Sequence, residues 1–156
     1  MNALQSKVDE LKRRLEEALA VERELSHALD QQNSALKQGR PDEIVAATVG
    51  LERVTDDLAT ASNSCKQLVA DLDLGLHAGA QLREVLLHLP ERARKDLAQA
   101  RSELADARRD WLAKAERNAR LARAGLDAVA EARRILDGAN VRVDGNTPFS
   151  QLDATA

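Results

Sequence analysis

The stretch from Arg92 to Leu136 carries the longest unbroken helical pattern in the chain, with no proline and a single glycine, Gly125. Ala, Leu, Arg, Glu and Lys fill it, all strong helix formers. As one helix it would run about 45 residues, roughly 67 Å at 1.5 Å per residue. The mean helix has only about 12 residues. A rod of that length has to bury its apolar stripe along other long helices or against another protein.

The upstream chain supplies such helices. In residues 3–38, Leu4, Val8, Leu11, Leu15, Ala18, Leu25, Leu29 and Leu36 recur at spacings of three and four, an a/d seam. Glu22 and Gln32 interrupt that seam, and both are expected to reach solvent where it widens. Gly39 suits the left-handed position that closes a helix, and Pro41 suits the first turn of the next, with Asp42 and Glu43 at its positive end. Residues 41–73 repeat the pattern through Ile44, Ala47, Leu51, Val54, Leu58, Ala61, Cys65, Leu68 and Leu72. So short a turn predicts an antiparallel hairpin. Ser62, Asn63 and Ser64 are poor helix formers, but the seam runs through them and predicts one helix.

Between Gly75 and Pro90 the pattern breaks. A short connector helix is predicted over 80–89, with Leu82, Val85, Leu86 and Leu89 apolar and Pro90 as its stop. The long helix follows over 91–137. Its stripe of Leu97, Ala100, Leu104, Ala107 and Trp111 drifts at Lys114 and Ala115, in the manner of a stutter. Gly138 is expected to end it. The expected fold is therefore all-α: an elongated antiparallel bundle or coiled coil of three long helices plus one connector helix, occupying 1–138. Residues 139–156 follow as a flexible tail with a turn at Asp144-Gly145-Asn146.

Composition narrows the function. Trp111 and Phe149 are the sole aromatic residues, so a large core built on rings is excluded and narrow seams of Leu, Val and Ala are expected. The net charge is −3, and arginines such as Arg101, Arg108 and Arg109 alternate with Glu103, Asp106 and Asp110. That is a solvated helix face with i, i+4 pairs, whereas a nucleic-acid stripe would keep one sign. Cys65, the single cysteine, lies on an apolar seam and builds no disulfide framework. The first ten residues hold no apolar signal segment, and no apolar run approaches the roughly 20 residues of a membrane span. A cytoplasmic protein without membrane insertion is expected.

Catalytic and metal chemistry find little support. Glu24 and His27 match the Glu-x-x-His spacing of bundle metal sites, which require a second such pair and two further carboxylates. There is no phosphate-cradling glycine loop and no nucleophile elbow. No enzyme, cofactor or metal is expected.

Within the long helix, Glu116-Arg-Asn118-Ala-Arg-Leu121 resembles the Asn-x-x-Leu signature of flagellar export chaperones of the FlgN type. Leu126, Val129, Ile135 and Leu136 fall where that family keeps apolar residues, and the tail is similar in its glycine turn and its Leu152-Asp153-Ala154 end. Val141 and Val143 stand where family members often carry an aromatic residue. The resemblance implies a cytoplasmic chaperone of the flagellar type III secretion system. Its clients would be hook-associated junction proteins, held by their terminal helical regions and handed to the export apparatus.

A helix-in-groove capture fits that role. Leu121, Leu126, Val129, Ile135 and Leu136 are the expected client surface, with Asn118 setting register. Two other classes would also explain the heptads: a structural coiled-coil tether, and a coiled-coil stalk component of the export ATPase complex. An a/d seam of this kind suits a monomer or a homodimer.

Overall fold

The computed structural model describes residues 3–72 and 82–144, with the side chains of the last helix described as far as Ala139. Four helices occupy these residues: α1 (Ala3–Gln38), α2 (Pro41–Asp71), α3 (Leu82–Leu87) and α4 (Glu91–Asp144). Among the described residues there is no strand, so the all-α class holds, with three long helices and one short one. The chain divides into two compact units, Met1–Asn118 and Ala119–Ala156.

Within the first unit, α1 and α2 form the hairpin that the glycine and proline dictate. Gly39 sits at φ 64°, the left-handed conformation that glycine adopts without steric cost. Its N–H reaches back to Ala35 O at 3.1 Å and Leu36 O at 3.3 Å, satisfying carbonyls at the end of α1. Pro41 occupies the first turn of α2, and Ile44 N–H bonds Arg40 O at 3.0 Å. The antiparallel pairing is fixed at both ends. Lys7 bonds Asp71 O at 2.6 Å near the start of α1, while Gln32 meets Thr48 at 3.4 Å near its end.

α4 returns parallel to α1. Eight hydrogen bonds between them join residues 84 to 89 apart in sequence, a nearly constant offset. A constant offset means that the two chains rise together. The unit is thus an up-down-up arrangement in which α1 is the central partner.

Two apolar clusters hold it. The lower one joins Val8, Leu11 and Leu15 of α1 to Leu72, to Val85, Leu86 and Leu89 around α3, and to Ala93, Leu97 and Ala100 of α4. Leu82, Val85, Leu86 and Leu89 keep the i, i+3, i+4, i+7 spacing of an amphipathic turn, which lets so short a helix close the open end of the bundle. The upper cluster is smaller: Leu25, Ala28, Leu29 and Val54, with Trp111 and Ala115 packed against it. Cys65 packs beside the lower cluster, and that burial pushes its thiol pKa up.

Three helix ends differ from expectation. α2 ends at Asp71 where 73 is predicted, and α3, described from Leu82, ends at Leu87 where 89 is predicted. α4 does not stop at Gly138; it continues through it to Asp144. A glycine ends a helix when the chain turns left-handed there, and among the described residues only Gly39 has a positive φ. Gly125 is also carried inside the helix, and a methyl group added at either glycine would meet nothing within 4 Å. Asp144 of the predicted turn is the last residue of α4, and residues 145–156, with the rest of that turn and most of the predicted tail, lie outside the described residues.

Candidate functional site

The upper half of the α1–α4 contact is polar, in contrast to the apolar lower half. Four polar side chains are buried there: Glu22, Ser26 and Asn33 of α1, and Asn118 of α4. Glu22 is 1% exposed, and its Oε1 accepts a bond from Arg108 at 2.7 Å. Ser26 donates to Asp110 and accepts from Lys114 at 2.7 Å. Lys114 also reaches Asp30 at 2.7 Å and Asp110 at 3.2 Å, and Arg117 meets Asp30 at 3.2 Å. Hydrogen bonds from Lys114 and Arg117 hold the Asp30 carboxyl below its usual range. Those from Ser26 and Lys114 do the same for Asp110. Asp30 and Asp110 in turn raise the Lys114 ammonium.

This ladder corrects two expectations. Glu22 and Gln32 do not reach solvent at a widened seam. Glu22 is buried against α4, and Gln32 is half-buried between Thr48 and Asn118. Polar groups in a seam cost stability but admit only one alignment of the partners. Hydrogen bonding and apolar packing run side by side here: Arg108 and Asp110 bond α1 before Lys114, and Trp111 and Ala115 pack against the upper cluster on either side of it.

Asn118 is also placed differently from the surface imagined for it. It is 3% exposed. Its Oδ1 accepts from Asn33 at 2.9 Å, and its Nδ2 donates to Leu29 O at 2.8 Å and to Gln32 at 3.1 Å. Each of its polar atoms is used inside the chain, so in this state it sets the register of α4 on α1. Asn118→Ala leaves the buried Asn33 amide without its partner, and the expected loss of stability in chemical denaturation is about 1–3 kcal/mol. The double change N33L/N118L removes both amides and is expected to recover part of that loss. A double mutant less stable than N118A would show that the pair is not acting as a unit.

The second unit has a different character. Leu126 is 70% exposed, Val129 67%, and Ile135 and Leu136 63% each; Leu121 is half-buried. At 3.6 residues per turn, Leu121, Val129 and Leu136 fall within an arc of roughly 80°, with Ile135 about 40° to the other side of Leu121. Leu126 lies about 60° beyond Val129, at the margin. Small residues run between the large ones: Ala122, Gly125, Ala128 and Ala132. Ala122 and Gly125 stand out in the sequence, whereas Ala128 and Ala132 follow from the same 3.6-residue periodicity but are passed over when bulky residues are read. The described part of this unit therefore presents a ridged apolar stripe to water, with Arg123, Arg134, Asp127 and Glu131 on the opposite face. A contiguous exposed apolar stripe on a charged helix is the mark of an interaction surface.

The FlgN protein family matches residues 1–147. The chain belongs to that family. FlgN proteins are flagellar type III export chaperones that act on flagellar client proteins. No curated protein and no solved structure matches the chain. For a FlgN chain the relevant surface is one that holds another protein. Among the described residues no helix is long and apolar enough to cross a membrane. The Glu24–His27 pair is divided between other partners, with Glu24 bound to Arg53 at 2.8 Å and His27 beside Gln31 at 3.3 Å.

Proposed function

We propose that this FlgN protein is a cytoplasmic chaperone for hook-associated proteins. It binds their amphipathic terminal helices along the α4 stripe, keeps them from assembling early and delivers them for export. The observation that supports this reading is the exposure of Leu126, Val129, Ile135 and Leu136 on one stretch of α4. The residues that hold the first unit together lie elsewhere, between Val8 and Asn118. A terminal helix that will later enter a filament carries an apolar stripe before assembly. Laying it against α4 covers both stripes at once. The alternation of large and small residues lets a client's bulky side chains enter the positions of Gly125, Ala128 and Ala132. Asn118 is left out of this client surface, because its polar atoms are bonded within the first unit.

Affinity capture from a flagellated cell lysate, with mass spectrometry, tests the reading by comparing the full chain with one ending at Asn118. Hook-associated proteins recovered by the full chain alone is the expected result. Equal recovery by both chains would remove α4 beyond Asn118 as the site. Recovery of nothing but the protein itself would favour a coiled-coil tether.

A further inference from the structure

α2 carries a second exposed apolar feature that the client reading leaves unused. Val45 is 63% exposed and Val49 59%. Both lie on the side of α2 opposite its seam: at 3.6 residues per turn they point roughly 180° from Ala47, Val54 and Leu58, which face α1. β-branched residues are weaker helix formers than Ala, Leu or Lys, so helix propensity does not account for two of them on a solvent face. The charged positions on this face, three and four residues away or one further turn along, are Asp42, Glu52 and Asp56, with Arg53 four residues after Val49 at its edge. The nearby cation Arg53 is already held by Glu24 at 2.8 Å and Asp57 at 3.4 Å, and Glu43 is paired with Arg40 at 2.7 Å. Among the described residues no salt bridge engages the three carboxylates that rim the valines.

We propose that the Val45–Val49 face of α2 docks a cationic amphipathic helix of a second protein, apart from the client. The valines supply the apolar contact, and Asp42, Glu52 and Asp56 supply complementary charge to lysines or arginines beside the partner's stripe. The same charges argue against a second copy of this face as the occupant. Symmetric pairing would set Asp42, Glu52 and Asp56 against themselves, and like charges across a contact reject the partner. The inference does not rest on the α4 stripe, so either can fail alone.

Two labelled 18-residue amphipathic peptides provide the test. One carries leucines with lysines, the other the same leucines with glutamates, and binding is read by fluorescence anisotropy against the full chain. The lysine peptide is expected to bind, and V45Q/V49Q to weaken it at least tenfold with an unchanged melting curve. D42N/E52Q/D56N is expected to weaken it severalfold and flatten its salt dependence. Equal binding of both peptides would overturn the proposal. So would a loss confined to V129Q/L136Q, which would move the site to α4. Self-association of the full chain that V45Q/V49Q abolishes would also overturn it, by giving the face to a second copy.

Discussion

Replacing Val129 and Leu136 with aspartate is expected to weaken client binding by about 10²–10⁴-fold. Burying a side chain of this size contributes about 1.5–3 kcal/mol, so two contribute about 3–6 kcal/mol. Each 1.4 kcal/mol is about tenfold in affinity. The charges add the cost of placing unpaired carboxylates against an apolar partner. The same substitutions are expected to leave the melting of the first unit unchanged, because the two residues are 67% and 63% exposed and sit outside both apolar clusters. Leu126→Asp should do less, since Leu126 stands at the margin of the stripe. Titration calorimetry with a purified hook-associated protein measures the affinities, and circular dichroism the melting. A V129D/L136D chain that unfolds with the first unit would assign these residues to the core. One that binds its client normally would sink the α4 surface.

Leu97→Ala is expected to destabilise the first unit by about 2–5 kcal/mol, the range for emptying a well-packed leucine site. Leu97 is 0% exposed and shares its cluster with Leu11 and Val85, also 0% exposed. It is the point at which α1, α3 and α4 meet, so a cavity there cannot be filled by moving one surface side chain. Urea denaturation followed by circular dichroism gives the number. Leu104→Ala, at a half-buried position beside the same cluster, is the internal comparison and should cost less. A loss under about 1 kcal/mol at Leu97 would mean that the lower cluster is loosely packed and closes over the gap.

Much of the fold was legible because its signals are local. The hairpin follows from Gly39 and Pro41, each acting on its own backbone, and α3 from four apolar residues within two turns. The seams of α1 and α2 announce themselves by spacing. What escaped reading depends on residues far apart in sequence. Glu22 at a seam position is ambiguous until Arg108 is found beside it, 86 residues away. Asn118 looks like an outward-facing signature residue until Asn33, 85 residues away, claims it. Gly138 carries the chemistry of a helix stop, but α4 continues to Asp144, and no local rule separates a glycine that ends a helix from one carried within it. The stripe of Leu121, Leu126, Val129, Ile135 and Leu136 was readable as apolar. Periodicity marks an apolar face without saying what covers it. The expectation of an open face came from the family resemblance, and Leu126, Val129, Ile135 and Leu136 are exposed while Leu121 is half-buried.

The most direct test is amide hydrogen exchange on the full chain, with and without a purified hook-associated protein. A helix laid on the α4 stripe is expected to slow exchange over residues 121–136, while protection in α1 stays as it was. Slowed exchange confined to the first unit, with residues 121–136 unchanged by the client, would contradict the account.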